Sequence, residues 1–500
     1  MSNPNNAVTG ILKKIYGEKS AYWNKMRALS GLNVFHSSAD GVKAYQGFLK
    51  MAGISPTAIV AASDLKKVPA VNKDNYLRAY PLDELCRAGS LRRRSVVFTS
   101  TSGSTGAPFY FPRENAVDLR SSVYHEIFLR NALIDADRST LVIVCFGMGV
   151  WIGGIITYQA FKMISDRGYR LAILTPGVNK NEIFAALKNI APRYDQVVIC
   201  GYPPFLKDIV DEAAAEGVDW KKFNVKMVFA AEAFSEQFRE YVAARVGIKN
   251  LYRDTMNVYG SADLGTMAAE TPVSILARRI ALGNAALYNG LFKEASRLPT
   301  LAQFHPAFVN FDEENGRIFC TGDNVLPLVR YEIGDNGGVI GFDEVERLFA
   351  AQGLSLKAEV EKAGLTDTLT ELPFVYVYER SDLSVKLYGA IVYPEHVKAG
   401  LQDRSFVARI TGKFAMAVRF DANQDEYLEI NIELAPGETG SELLAAEMSA
   451  SILRSLTEKS AEYKNNASVF AGRVRPRIVF WPHGDPTHFK GGAKQKWVVK

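Results

Sequence analysis

Short apolar runs rich in β-branched residues recur along the first half of the chain. They occupy residues 95–99, 141–146, 171–174, 197–200 and 227–230, and each is followed by Gly, Pro or a helical pattern. Strands that alternate with helices in this way are typical of βαβ units, whose strands lie parallel in one sheet. The pattern therefore predicts an α/β protein with a large N-terminal body of mainly parallel sheets.

The C-terminal part has a different pattern. Apolar and polar residues alternate over residues 427–434, which predicts a half-buried strand, and Thr439 with Glu442 has the spacing of a capping box at a helix start. We predict a large domain over residues 1–380 and a small, mobile α+β domain over residues 381–500.

One uncharged stretch, residues 140–161, reaches the length of a membrane span. Four glycines interrupt it, so we expect a strand, a glycine-rich turn and a buried helix instead, and no membrane span.

Composition and charge narrow the classes of protein that remain. The 500 residues are 48% hydrophobic and 23% charged, as in ordinary globular proteins, and the net charge is only +5. So small an excess, scattered along the chain, does not indicate a nucleic-acid-binding protein. Four widely separated cysteines and a polar N-terminus without a secretory signal predict buried thiols in a cytoplasmic protein.

A loop rich in hydroxyl groups follows the first apolar run. Residues 99–108 read Thr-Ser-Thr-Ser-Gly-Ser-Thr-Gly-Ala-Pro. Glycines let backbone amides approach anionic oxygens, and the hydroxyls add neutral donors, so the loop suits a polyphosphate. It is not a Walker loop, because no Gly-Lys-Ser/Thr follows. Composition alone leaves a simple surface turn open.

The order of residues in this loop resembles the phosphate-binding signature of the adenylate-forming superfamily, which includes the acyl-CoA synthetases. Further segments resemble other motifs of its phenylacetate-CoA ligase-like branch, in the same order, from about Tyr76 to the C-terminus. These segments are residues 146–149, 153–154, 174–177, 200–204, 230–232, 257–263, 327–335, 380–383 and 491–496.

The resemblance implies an ATP-dependent ligase that activates a carboxylic acid as an acyl-adenylate, releases pyrophosphate and transfers the acyl group to coenzyme A, with magnesium as cofactor. Other acceptors stay open, namely an amine, a carrier-protein thiol or a protein thiol, and so does adenylation of a cofactor hydroxyl. A catalytically dead nucleotide-binding regulator is the alternative from another class. Relatives are often homodimers, but no heptad pattern or exposed apolar stripe establishes one here.

The resemblance also assigns residues to the nucleotide site. Tyr259 would stack on adenine beside Glu232, since a nucleobase face favours an aromatic partner, and Asp335 would accept both ribose hydroxyls. Arg380 would contact the ribose or a phosphate. The full ATP-binding set is Thr101, Ser102, Gly103, Ser104, Thr105, Gly106, Ala231, Glu232, Asn257, Tyr259, Gly260, Ser261, Asp335 and Arg380.

The implied catalytic residues are Lys494, Asp263 and Thr105. Lys494 would lie near the carboxylate and the α-phosphate, with Lys496 as the alternative, and Asp382 would be the hinge about which the small domain rotates between the two half-reactions. Asp263 would bind magnesium.

Three positions depart from the family pattern. Asp263 replaces a Glu, so a magnesium ligand would lie one methylene, about 1.5 Å, further back. Ala107 replaces a Lys and Glu379 replaces a Gly. We expect altered rather than abolished activity.

An apolar and aromatic lining is expected for the acid pocket, which favours an aryl, arylacetyl or acyl group over a polar acid. Its residues would be Phe146, Met148, Trp151, Tyr202 and Pro203. His125 and the two histidines in residues 483–488 lack the further ligands of a transition-metal site, so we assign none.

Overall fold

The computed structural model describes residues 4–89, 91–92, 94–100, 108–134, 137–293, 299–380, 384–403, 405–406, 408–485 and 488–489. The chain divides into two compact units. The first unit comprises Met1–Thr99, Tyr110–Gly201 and Ile209–Tyr378. The second unit comprises Ser100–Phe109, Tyr202–Asp208 and Glu379–Lys500.

Helices and strands alternate through most of the chain. The strands are β1 Val97–Ser100, β2 Tyr110–Arg113, β3 Thr140–Cys145, β4 Leu171–Leu174, β5 Gln196–Gly201, β6 Val225–Ala230, β7 Thr255–Ser261, β8 Gly265–Ala269, β9 Thr300–Gln303, β10 Val309–Glu314, β11 Arg317–Gly322, β12 Leu328–Ile340, β13 Phe374–Arg380, β14 Val385–Leu387, β15 Ala390–Val392, β16 Ile410–Phe420, β17 Glu426–Leu434 and β18 Arg477–Trp481. The helices are α1 Pro4–Gly17, α2 Ser20–Gly41, α3 Lys43–Met51, α4 Leu82–Leu85, α5 Asn115–Asn131, α6 Ile152–Ser165, α7 Lys180–Asn189, α8 Pro203–Glu212, α9 Glu236–Val246, α10 Leu251–Asp254, α11 Pro272–Leu282, α12 Ala285–Phe292, α13 Phe342–Ala350, α14 Leu356–Lys362, α15 Pro394–Leu401, α16 Glu442–Lys459 and α17 Ala461–Phe470.

An eleven-stranded sheet has the order β10-β11-β12-β13-β9-β8-β7-β6-β5-β3-β4. The pairs β4–β3, β3–β5, β5–β6 and β6–β7 are parallel. Beyond β7 the pairs β7–β8, β8–β9, β9–β13, β12–β11 and β11–β10 are antiparallel. The predicted α/β class is confirmed, and four of the five predicted strands lie in the parallel run.

The first predicted strand does not join this sheet. Strand β1 pairs with β2 in a sheet of two strands. Val97 and Phe98 are exposed, whereas Thr99 is buried. The prediction that residues 95–99 belong to the parallel sheet was wrong, because a short apolar run has the same appearance in an exposed strand pair as in a central strand.

The uncharged stretch forms β3, a glycine-rich turn and α6, as predicted. Among the described residues, no helix combines the length and apolar character that crossing a membrane requires. All four cysteines are buried and unpaired, as expected, and burial raises the pKa of the Cys86 thiol to about 12.

The second unit contains a three-stranded sheet, β16-β17-β18, and the predicted alternation buries Leu428, Ile430 and Ile432 fully. The predicted helix start at Thr439 was wrong by two residues, because Ser441 is the cap and accepts a hydrogen bond from the Leu444 amide at 3.2 Å. Gly440, just before the cap, packs so closely against the Phe480 ring that a Cβ there would lie 2.5 Å from it.

Candidate active site

Strand β7 lies where the parallel half of the large sheet meets the antiparallel half. Ligands of α/β sheets bind beyond the carboxyl ends of parallel strands. The residues that follow β6 and those at the end of β7 are two of the predicted motifs, residues 230–232 and 257–263. The fold therefore brings these motifs to one edge of the sheet.

The first contact between the motifs joins Asn257 to Glu232. The Asn257 Nδ2 donates to the Glu232 carbonyl at 3.0 Å. Within the described part of the chain, no group bonds to the buried Asn257 Oδ1. Just before Glu232, Ala231 has φ +77°, a conformation that costs a non-glycine residue about 1–3 kcal/mol and is frequent at functional sites.

The second contact joins Tyr259 to Asp335. The Tyr259 hydroxyl donates to Asp335 Oδ2 at 2.6 Å, and the Tyr259 ring lies nearly parallel to that of Phe311, with centroids 6.0 Å apart. Asp335 lies on β12 and is buried. A carboxylate and a half-buried aromatic ring therefore lie side by side.

The end of β7 leads to Asp263, which is also buried. The Tyr331 hydroxyl donates to Asp263 Oδ2 at 2.8 Å. The Thr99 hydroxyl donates to the Ala262 carbonyl at 3.2 Å, so the strand that precedes the hydroxyl-rich loop is attached to the same turn. Gly260 is needed here, since a Cβ would lie 2.9 Å from the Gly265 carbonyl oxygen.

No family model and no curated protein matches the chain. Solved structures do. A crystal structure of 2-hydroxyisobutyryl-CoA ligase in complex with 2-HIB-AMP and CoA, in the thioesterification state, is 15% identical with a TM-score of 0.59, and the match covers 97% of this chain and 91% of that chain. An open conformation of the same ligase has a TM-score of 0.52 at 15% identity, with coverage of 97% and 92%.

The chain has the adenylate-forming ligase fold. The family resemblance of the motifs is thus confirmed at the level of the fold.

Cys320 lies on β11 and is fully buried. Burial, with Asp335 and Asp263 nearby, raises the pKa of the Cys320 thiol well above its usual range. The thiol therefore stays protonated.

A cluster of charged side chains bonds to β7 through Glu270 and Arg239, and the sequence analysis missed it. Arg239 Nη2 lies 2.8 Å from Glu270 Oε2, and Arg239 Nε lies 3.1 Å from Glu236 Oε2. Arg278 also bonds to Glu236. All four side chains are buried. Glu236 and Arg239, three residues apart on α9, have the spacing of a solvated helix pair, so only the fold reveals their burial.

The predicted pocket residues fall in both units. In the first, a Cβ on Gly154 would lie 2.5 Å from Met148 Sδ, and one on Gly153 would lie 3.5 Å from the Phe146 ring. Trp151 precedes α6 and is half-buried. Tyr202 and Pro203 belong to the second unit, where the Tyr202 ring packs against Gly389.

Several predicted residues lie outside the part of the chain that the structure describes. Those that lie outside the described residues are Thr101, Ser102, Gly103, Ser104, Thr105, Gly106, Ala107, Asp382, Lys494 and Lys496, together with the side chains of Glu379 and Arg380.

His125 is a buried helix residue whose Nδ1 contacts the Ser121 carbonyl at 2.8 Å, and burial lowers its pKa to about 4. In the described ranges, no three His, Cys, Asp or Glu side chains are grouped to hold a metal ion.

Proposed function

We propose that this chain uses ATP to convert a carboxylic acid to an acyl-adenylate, releases pyrophosphate and transfers the acyl group to coenzyme A. The meeting of separate motifs at one sheet edge carries the proposal, above all the 2.6 Å contact of Tyr259 with Asp335. A ligase of similar fold holds an acyl-AMP and CoA, which supports the same chemistry here.

The described residues fit an adenine nucleoside. The buried Asn257 Oδ1 is an acceptor without a bonded donor in the described chain, and the exocyclic amino group of adenine is a donor. Tyr259 offers a ring for stacking next to that position. Asp335 receives the Tyr259 hydroxyl on Oδ2, and its Oδ1 can accept a ribose hydroxyl.

Asp263 fits a magnesium ion that is held mainly by phosphate oxygens. Magnesium is commonly bound by one or two carboxylates together with substrate phosphates and water. Tyr331 donates to Oδ2 of Asp263 at 2.8 Å, and we assign Oδ1 as the protein ligand. Bound there, the ion would neutralise polyphosphate charge. The shorter Asp side chain, held by Tyr331, places its carboxylate further back than the usual Glu would.

In the proposed first half-reaction, a carboxylate oxygen attacks the α-phosphorus and the bond to the pyrophosphate oxygen breaks. Two anions approach each other, so donors and a cation must stabilise the transition state. We assign these roles to the hydroxyl-rich loop, with Thr105, and to Lys494. In the second half-reaction the coenzyme A thiolate attacks the acyl carbonyl and AMP leaves, after rotation about Asp382.

The acid is proposed to be apolar. The predicted lining residues would offer a mainly apolar and aromatic surface, which suits an aryl, arylacetyl or acyl group. They are Phe146, Met148, Trp151, Tyr202 and Pro203. The packing of Met148 against Gly154 supports a role for this turn in shaping the pocket.

The test is carboxylate-dependent pyrophosphate release from Mg-ATP over aliphatic and aromatic acids, with and without coenzyme A. Wild type is compared with Lys494→Ala and, as a matched control, Lys496→Ala. We expect release that Lys494→Ala abolishes, that Lys496→Ala retains and that coenzyme A accelerates. Release unaffected by coenzyme A would indicate another acceptor, and no release with any acid would overturn the proposal.

A further inference from the structure

We propose that Glu270 is a positioning residue for nucleobase selection, acting through the backbone of Asn257. The inference rests on the proposed function, because it concerns how the same site distinguishes ATP from other nucleotides. Glu270 directly follows strand β8 and belongs to the buried charged cluster, and we do not propose that it touches the nucleotide.

Two reciprocal hydrogen bonds join Glu270 to Asn257. The Glu270 amide donates to the Asn257 carbonyl at 2.8 Å, and Glu270 Oε2 accepts from the Asn257 amide at 2.9 Å. In a regular antiparallel pair, that amide would bond to a backbone carbonyl of the neighbouring strand. Strand β8 ends at Ala269, and Thr271 already caps α11, so the Glu270 carboxylate takes the place of the carbonyl.

The carboxylate is itself fixed by charge. Arg239 Nη2 donates to both Glu270 oxygens, at 2.9 and 2.8 Å, and Arg239 Nη1 donates to the Thr255 hydroxyl at 2.7 Å. Glu236 and Arg278 complete the group of four buried side chains, and Arg279 pairs with Glu236 at its edge. A charge-assisted donor shared by both carboxylate oxygens restricts the orientation of the carboxylate, so the Asn257 amide has one fixed acceptor.

Fixing this backbone determines what the Asn257 side chain presents. With Nδ2 bonded to the Glu232 carbonyl, Oδ1 is a buried acceptor directed by the main chain. Adenine carries an amino group where guanine carries a carbonyl oxygen. Asn257 Oδ1 at a fixed position therefore favours ATP and repels GTP. If Oδ1 is displaced, it distinguishes the two nucleotides less well.

The experiment compares Glu270→Gln with Glu236→Gln. Both variants remove one carboxylate charge from the same buried cluster and leave Arg239 and Arg278 in excess, but only Glu270 bonds to Asn257. We expect both to lower Tm. Only Glu270→Gln should weaken ATP binding, by roughly three- to tenfold, and reduce the ratio of ATP to GTP affinity. Equilibrium binding of each nucleotide to the full chain is measured without turnover, and KM and kcat are measured alongside.

A second pair, Glu270→Asp and Glu236→Asp, retains the charge and shortens the reach, which keeps the test valid if the glutamine variants do not fold. The inference is overturned if the Glu270 and Glu236 variants change nucleotide selectivity equally, or if the Glu270 variants do not change it. The proposed function still stands in that case if wild type releases pyrophosphate. Wild type that binds ATP with the expected selectivity but releases no pyrophosphate would overturn the proposed function alone. A wild type that binds neither nucleotide would overturn both.

Discussion

The two ends of strand β7 are held in different ways. Asn257, near its start, is bonded to a buried carboxylate that two arginines surround. Asp263, just beyond its end, receives one neutral hydroxyl from Tyr331, and the adjoining Ala262 receives one from Thr99. Charge-assisted bonds restrain one end of the strand, and single neutral bonds restrain the other.

This difference matches the chemistry proposed for each end. A nucleobase keeps the same shape and hydrogen-bonding groups throughout both half-reactions, so a rigid binding site suits it. The polyphosphate end changes its charge and bonding when pyrophosphate leaves. Groups held by single neutral hydrogen bonds can move with that change. A group in a buried ionic cluster could move only by leaving a buried charge without its partner.

The largest effect is expected from Arg239→Met, which leaves the acids of the cluster without their central arginine. Glu270 and Glu236 would then lose their shared arginine in a fully buried place, which costs about 3–5 kcal/mol of unfolding free energy. Urea unfolding measures the loss. Arg279→Met is the control, because Arg279 pairs with Glu236 and with the exposed Glu240 at the edge of the cluster. If Arg239→Met lowers the free energy of unfolding no more than the control does, the cluster does not restrain the Asn257 end of β7.

The cluster also predicts a dependence of stability on pH. Burial opposes the charge of Glu236, but Arg239 and Arg278 outweigh it and lower its pKa from 4.5 to about 2. A depressed carboxyl pKa adds stability that is complete above pH 4.5 and is lost as the pH falls toward 2. The shift corresponds to about 3 kcal/mol. Tm measured from pH 6 to pH 2 in wild type and Glu236→Gln should converge in acid, and parallel curves would contradict the assignment.

Sequence alone predicted the residues that carry recognisable motifs. Asn257, Tyr259 and Asp335 were assigned by motif order, and the fold brings Tyr259 and Asp335 into contact. Glu270 was not predicted, because its role depends on a strand ending next to Asn257, which is a property of the sheet and not of the local pattern. The antiparallel order beyond β7 was missed for the same reason, since strand direction is set by distant partners.

The polyphosphate end can be tested by Asp263→Asn. The carboxamide oxygen can still accept from Tyr331, so stability should change by less than about 1 kcal/mol. Loss of the negative charge should lower pyrophosphate release on the order of a hundredfold at limiting magnesium, with partial recovery as magnesium rises. Magnesium titrations of the initial rate check this. If the initial rates of the variant and of wild type depend on magnesium in the same way, Asp263 is not a ligand of the proposed metal ion.

The smallest effect is expected midway along the site, at Tyr259. Tyr259→Phe keeps the ring for stacking but removes the hydroxyl that donates to Asp335 at 2.6 Å. A buried carboxylate that loses one donor orients less well toward the ribose, so KM for ATP should rise about threefold with kcat little changed. Tyr259→Ala, which removes the ring as well, should raise KM further, because base stacking contributes about 1–3 kcal/mol. If both variants raise KM equally, the tyrosine acts only through its hydroxyl, and the adenine is stacked elsewhere.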